Sequence, residues 1–332
     1  MRKLYETVRF PQSVELFRFC LRILELRTPE KKIHDQDLGQ ILNFNPSDTS
    51  HWKRGKKAIR NIQALEILAK TLNVDLEIIQ DLAEGVIDLD EAWSDFYDSE
   101  EERKLSLLSP ELRIERRDRT AALEVVAKNI LTNMGIQAVP VYVPELIAGF
   151  NFIQLIPGEV SEKLARSSRI KPGYYAIRYR KGDIRAHTRI AIVREIARVI
   201  LLSERERFGI RARNEALSNA EIIELAACLL VPREALALET QKISTRVNMV
   251  KALAELFWVP KSVIRSRLTT LLMENASPEI FTQSGLSLRL RNDSTELGEL
   301  PLEDLDDDNF NQPPQAAQNS AGHSSKNQNT LN

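Results

Sequence analysis

The chain has 332 residues, of which 43% are hydrophobic, and its net charge is -1. This length exceeds that of one ordinary core and indicates two domains with connecting segments, while the composition is typical of a globular protein. The sequence has neither an apolar run of about 18 residues nor the pattern of a secretory signal, so we expect a cytoplasmic protein without a membrane span.

The cysteines and the distribution of charge indicate which kind of functional site to expect. Cys20 and Cys228 lie far apart inside apolar helical patterns, which predicts buried thiols rather than a disulfide or a metal pair. The sequence indicates no cofactor. Residues 1–75 hold 14 Lys and Arg against 9 Asp and Glu, whereas residues 76–102 hold 11 acidic residues and no basic one. This charge segregation is typical of a basic nucleic-acid module followed by an acidic, solvated segment.

The first part of the chain has the apolar periodicity of short helices. The pattern predicts five of them, over 14–26, from 34 to 42, from Pro46, over 62–72 and over 76–82, with Gly85 ending the domain. Residues 86–117 are predicted to be an acidic linker, partly docked through its aromatic side chains. For the acidic residues from Glu77 to Glu102, an alternative is that they compete with nucleic-acid phosphates for the basic surface.

The second part of the chain has a different apolar periodicity, with strand patterns as well as helical ones. A helix is predicted over 121–134, strands over 138–143, 152–156 and 174–179, and further helices over 190–202, 219–230, 249–256 and 261–273. Residues 118–274 therefore form a second domain, and the fold class is α+β, predominantly helical, with a small sheet. Residues 275–332 are predicted to be a mostly disordered, acidic and polar tail.

The third predicted helix carries the strongest functional signal. Asn45 is suited to cap it, Pro46 fits its first turn, Trp52 anchors its inner face and Gly55 ends it. Short polar side chains on such a helix can reach base edges in the major groove, and the cations that follow meet phosphates. The predicted DNA-binding residues are Asn45, Ser47, Asp48, Thr49, Ser50, His51, Lys53, Arg54, Lys56, Lys57 and Arg60.

These residues, with the apolar pattern from Leu65 to Val74, resemble the Cro/CI-type (XRE) family of helix-turn-helix repressors over about fifty residues. The resemblance implies a compact five-helix domain, a double-stranded DNA operator and a homodimer. Gly39 is a departure, because the family often has Ala at this position.

The helix around Glu195 has the spacing of a zinc-peptidase helix, but Arg194 and Arg198 stand where both histidines would be. With Glu221 and the run Leu229-Leu230-Val231-Pro232, this pattern resembles the ImmA/IrrE family of metallopeptidase-like proteins. The resemblance implies a zincin-like fold over about 120–272.

Arginine keeps its proton and cannot ligate Zn²⁺, so we expect no metal, a degenerate site and no enzymatic activity, with Glu195 a vestige. We also expect Arg194 or Arg198 to bridge to Glu221, the counterpart of the third metal ligand, in place of the metal.

The sequence therefore predicts a DNA-binding transcription regulator whose inactive peptidase-like domain is a sensor or an interaction module. The effector in its cleft would be a small molecule or a peptide. Two alternatives stay open. One is an active zinc metallopeptidase that cleaves a repressor, and the other is an adaptor or antitoxin-like protein that does not bind DNA.

Overall fold

In the computed structural model, which describes residues 8–160, 163–182, 184–210, 218–244 and 247–275, the chain begins with six helices. They are α1 (Pro11–Arg27), α2 (Asp35–Ile41), α3 (Pro46–Lys53), α4 (Ile62–Leu72), α5 (Leu76–Glu84) and α6 (Leu89–Ser106). The first five match the helices predicted for residues 1–85.

Helix α6 occupies most of the segment that the sequence predicted as a linker. Its beginning is fixed by a capping box, in which the Glu91 amide donates to Asp88 Oδ1 at 3.0 Å and the Asp88 amide donates to Glu91 Oε2 at 2.9 Å. Ala92 and Phe96 are buried in the core of the first five helices. The high acidic content suggested solvated chain, but one side of α6 is apolar and packs.

The core of the first part is built around aromatic side chains. Trp52 is fully buried, with its ring 5.0 Å from that of Phe17, and Phe19 packs against Phe96 of α6 at 6.1 Å. Cys20 is also buried in this core, as predicted. α6 therefore completes the N-terminal core instead of leaving it.

The second part contains seven further helices among the described residues, in addition to a short 3-10 helix at Arg205–Phe208. They are α7 (Pro110–Asn133), α8 (Val143–Ala148), α9 (Ala186–Leu202), α10 (Ser218–Leu230), α11 (Arg233–Lys242), α12 (Met249–Phe257) and α13 (Lys261–Asn275). Helix α7 begins well before the predicted residue 121, and α8 and α11 were not predicted. The chain is thus α+β and mostly helical.

Three strands form a small mixed sheet, β1 (Ile153–Gly158), β2 (Ala165–Lys171) and β3 (Tyr174–Arg180). The order is β1-β3-β2, with β1 parallel and β2 antiparallel to β3. Pro172 and Gly173 turn the chain between β2 and β3, and the positive φ of Gly173 (71°) suits the third position of a type II turn.

Two strand predictions need correction. Residues 138–143 are not a strand, since Pro140, inside the segment, and Pro144, just after it, cannot donate the amide hydrogen bonds that a strand needs. β2 went unpredicted because its sequence, ARSSRIK, lacks alternating apolar residues.

A second hydrophobic core joins α9 and α10 to one face of the sheet and to α7, α12 and α13. Cys228 is buried in it, again as predicted. Both cores belong to one compact unit, which ends at residue 275. The predicted tail begins at the last residue of α13, and from residue 276 it lies outside the described residues. No helix in the described part of the chain has the length and apolar character that a membrane span requires.

Candidate nucleic-acid interface

The beginning of α3 has the cap and the first-turn proline that the sequence predicted. Asn43 adopts a left-handed conformation (φ 54°), and the Asn45 side chain caps α3 by accepting the Asp48 amide at 2.9 Å. Pro46 occupies the first turn, where its missing N–H is harmless. The beginning of α3 is therefore fixed by local interactions.

The inner face of α3 is anchored by Trp52. Its indole Nε1 donates to the Ser13 carbonyl oxygen at 3.0 Å, and the Ser13 hydroxyl donates to the Lys57 carbonyl oxygen at 2.8 Å. Gly55 then ends the helix with a φ of 66°, and a Cβ on it would lie 2.6 Å from Val8. Glycine is required here by both the conformation and the close approach.

Thr49 occupies a different place from the one predicted. It is 2% exposed, and its hydroxyl donates to the Asn45 carbonyl oxygen at 3.1 Å. A Cβ on Gly39 would stand 2.1 Å from the Thr49 hydroxyl oxygen, which explains why α2 has glycine at this position. Thr49 therefore belongs to the packing between α2 and α3 rather than to the predicted DNA contacts.

Most other predicted contact residues are exposed on or just after α3. The exposed set is Asn45, Ser47, His51, Lys53, Arg54, Lys56 and Arg60. Asp48, Ser50 and Lys57 are half-buried, and Lys57 forms an ion pair with Asp48 at 3.0 Å while lying 3.9 Å from the Phe44 ring. Asp48 and Lys57 thus neutralise each other at the edge of the surface.

The remaining cations differ in how they are held. Lys53 pairs with Asp35 of α2, and Arg60 lies over the Phe10 ring at 5.8 Å. No acidic side chain among the described residues pairs with Arg54. We call the outward surface of α3 together with residues 54–60 the α3 surface; it is polar on the helix and basic at the exit.

The second predicted site is built differently from the prediction. Glu195 is buried on α9 and is bound to the sheet, since it accepts the Ser167 amide at 3.0 Å and the Ser167 hydroxyl at 2.5 Å. Arg198 pairs with the other oxygen of Glu195 at 3.3 Å. Glu195 therefore ties α9 to β2.

Arg194 points at α6 instead of α10. Its guanidinium pairs with Asp98 and donates to the Ser94 hydroxyl at 3.3 Å. Burial raises the pKa of the Asp98 carboxyl, although the charge of Arg194 opposes the change. Arg194 thus holds α9 against a helix of the N-terminal core.

The predicted bridge from Arg194 or Arg198 to Glu221 is wrong. Among the described residues the ion pair of Glu221 is with Arg119 of α7, 3.6 Å away. Glu221 is buried, as the packing of α10 requires, but its partner comes from a helix that the zinc-peptidase pattern does not include.

His187 was not predicted as a site residue, yet it is the centre of a charged cluster. Its Nε2 lies 3.0 Å from Asp95 Oδ2 and its Nδ1 lies 3.8 Å from Glu91 Oε1, while Ser262 donates to the other oxygen of Asp95 at 2.9 Å. Burial lowers the pKa of His187, but the hydrogen bond and charge of Asp95 and the charge of Glu91 outweigh it, so the pKa lies above the ordinary 6.5.

These contacts belong to one interface. The acidic residues of α6 recur every three or four positions, at Asp88, Glu91, Asp95 and Asp98, and so form a stripe along one side of the helix. We call this the acidic stripe. Its partners in the second part are Arg180, Arg185, His187 and Arg194.

A second set of ion pairs extends the interface. Lys261 on α13 lies 3.1 Å from Glu77 and 2.9 Å from Asp81, both on α5, and Arg265 also pairs with Glu77. The acidic segment is therefore bound to the second part of the chain, rather than being a free linker or a competitor for the α3 surface. The spacing of the stripe was visible in the sequence and could have indicated a charged helix face.

Two further findings are negative: one concerns a metal site, and the other concerns similarity to known proteins. Within the described ranges, no three His, Cys, Asp or Glu side chains come together in a way that could hold a metal ion. Comparison of the chain with protein-family models, with curated proteins and with solved structures finds no match.

Proposed function

We propose that this protein is a DNA-binding transcription regulator that contacts an operator through the α3 surface. The observation that carries the proposal is the different use of two faces of the N-terminal core. The acidic stripe is engaged with the second part of the chain, whereas Ser47, His51 and Arg54 on the α3 surface stay exposed. A polar helix face followed by cations suits base edges and phosphates.

The second part of the chain acts in this proposal as a control module without peptidase chemistry. Arg194 and Arg198 are held by Asp98 and Glu195, and a protonated guanidinium is no zinc ligand. An effector, whether a peptide or a small molecule, would reach the Arg194 side of α9 only by competing with α6. Such an effector would change the contact between the two parts, and through it the position of the α3 surface on a dimeric operator.

The proposal is tested by crosslinking the protein to genomic DNA and sequencing the recovered fragments. The full chain should enrich a short, symmetric site. Arg54→Ala with Lys56→Ala should reduce recovery of all sites. The slope of log affinity against log salt should also fall, by about 0.9 for each phosphate that the variant no longer neutralises.

Ser47→Ala with His51→Ala should instead change which sequences are recovered, because base contacts carry sequence information. Lys128→Gln with Lys242→Gln is the control, since these exposed lysines lie on α7 and α11. Absence of any enriched site for the unaltered chain, with equal behaviour of all variants, would reject the proposal.

A further inference from the structure

The β2–β3 hairpin carries an unbalanced positive charge. Residues 163–182 contain seven Lys and Arg and no Asp or Glu. Arg180 is paired, with Asp88 at 2.7 Å and Asp90 at 3.0 Å, but Lys163, Arg166, Arg169 and Arg178 are exposed. The hairpin therefore presents cations in excess of what the fold neutralises.

The register of the sheet shows which side of it these cations occupy. Ser167 lies opposite Ile177, and both face α9, since Ser167 bonds Glu195 and Ile177 is fully buried. Side chains alternate along a strand, so Arg166 and Arg178, which are also directly opposite each other, lie on the other side of the sheet. Ser168 is exposed on that same side.

Placing Arg166 opposite Arg178 works against the stability of the sheet. Opposed side chains of an antiparallel pair have Cβ atoms about 4.5–5.5 Å apart, and like charges there are destabilising. No acidic side chain in the described ranges forms an ion pair with either arginine. An external anion between the two guanidinium groups would remove the repulsion.

Phosphate is the anion that this arrangement suits. Two guanidinium groups on adjacent strands offer forked donors that match phosphate oxygens, and arginine binds them in bidentate fashion. The hairpin tip adds Lys171, 4.2 Å from the ring of the exposed Tyr174, and so continues the row of cations. A repeated phosphate, as in a nucleic-acid backbone, matches such a row better than a single ion does.

The hairpin is joined to the N-terminal core by the ion pairs of Arg180. This arginine, at the end of β3, pairs with Asp88, which caps α6, and with Asp90 in the first turn of that helix. Phe96 of α6 and Trp52 of α3 are buried in the same core. Both basic surfaces are therefore carried by elements that are attached to one core.

We infer that the outward side of the β2–β3 hairpin, centred on Arg166 and Arg178, is a second binding surface for duplex DNA phosphates. The inference rests on the proposed function, because it assigns the two surfaces to one bound duplex. The hairpin contacts backbone phosphates only, so it adds affinity and salt dependence without sequence preference.

The test uses the full chain and a fluorescent duplex of random sequence about 40 base pairs long, or about four helical turns. Affinity is measured over a series of KCl concentrations for the unaltered chain, Arg166→Gln with Arg178→Gln, Arg54→Ala with Lys56→Ala, and the control Lys128→Gln with Lys242→Gln. The hairpin variant should reduce the salt slope by roughly 2 and weaken binding about tenfold at low salt. Melting temperatures verify that each variant is folded.

The outcomes separate the two proposals. A hairpin variant that binds like the control, while the α3 variant is impaired, overturns the hairpin surface and leaves the proposed function standing. An α3 variant that binds like the control, while the hairpin variant is impaired, rejects the proposed function and, with it, the assignment of both surfaces to one duplex. Loss of binding to phosphatidylserine vesicles with unchanged DNA binding would assign the arginines to a lipid surface and overturn the inference.

Discussion

Helices α3 and α6 pack in the same core, yet their outward faces differ in charge and in what covers them. α3 and its exit expose cations such as Arg54, whereas α6 places its acidic stripe against arginines and His187 of the second part. The acidic and basic residues that are segregated in the sequence therefore lie in two different structural environments. The acidic residues serve the contact between the two parts, and basic residues such as Arg54 stay exposed.

The largest loss of stability is expected where the acidic stripe is most deeply buried against the second part of the chain. Asp98 and Arg194 are each 15% exposed, and removal of one partner leaves the other charge buried and alone. Arg194→Met should lower the free energy of unfolding by about 3–5 kcal/mol, as for other buried pairs. Chemical denaturation measures this.

A double variant sharpens the same test. Arg194→Met with Asp98→Leu should recover most of the loss, since burial already raises the pKa of Asp98 and the pair gains little over an apolar one. If the single change costs no more than a surface substitution, the interface between α6 and α9 is not held by this pair.

The second prediction concerns the packing of α2 against α3, beneath the exposed α3 surface. Gly39→Ala would bring a Cβ to 2.1 Å from the Thr49 hydroxyl, so α2 and α3 would have to move apart. Overpacking of this kind costs about 1–3 kcal/mol, which thermal unfolding would detect. Adding Thr49→Ala should restore part of the stability, and an unchanged melting temperature for Gly39→Ala would contradict the tight α2–α3 contact.

The third prediction concerns pH at the covered face. The folded pKa of His187 lies above 6.5, so its contribution to stability is complete below about pH 6.5 and is lost as the pH rises through the folded pKa. Burial raises the pKa of Asp95, but the hydrogen bond and charge of His187 outweigh it, so this pKa lies below the ordinary 3.8. The contribution of Asp95 to stability is therefore lost only as the pH falls below that value.

The free energy of unfolding should therefore decrease from pH 6 to pH 8, and His187→Gln should remove most of that decrease. His51→Gln is the matched control, because His51 is exposed on α3. An identical pH profile for His187→Gln and the unaltered chain would show that the cluster around Asp95 does not couple protonation to folding.

The smallest effect is expected at the hairpin. Arg178→Thr removes the repulsion from Arg166 and introduces a residue that favours strands, so it should raise the free energy of unfolding by about 0.2–1 kcal/mol. Denaturation at low salt, where the repulsion is strongest, is the suitable measurement. A loss of stability would mean that Arg178 has a structural role in the sheet.

The sequence was sufficient where the signals were local. The cap at Asn45 and the apolar spacing of the first five helices were both predicted correctly, because they depend on nearby residues. The partners of Arg194, Glu221 and His187 could not be read, because they lie on distant helices. Charge patterning alone does not say whether an acidic helix face meets water or arginine.

Helix α6 also decides where the chain can be divided. Its apolar side supplies Ala92 and Phe96 to the first core, and the acidic stripe beside it binds Arg194 and His187. A fragment ending at residue 85 would expose apolar surface that α6 normally covers, and a fragment beginning at 86 would carry that surface away with it. Expression of the N-terminal part alone should therefore extend to about residue 106, the end of α6.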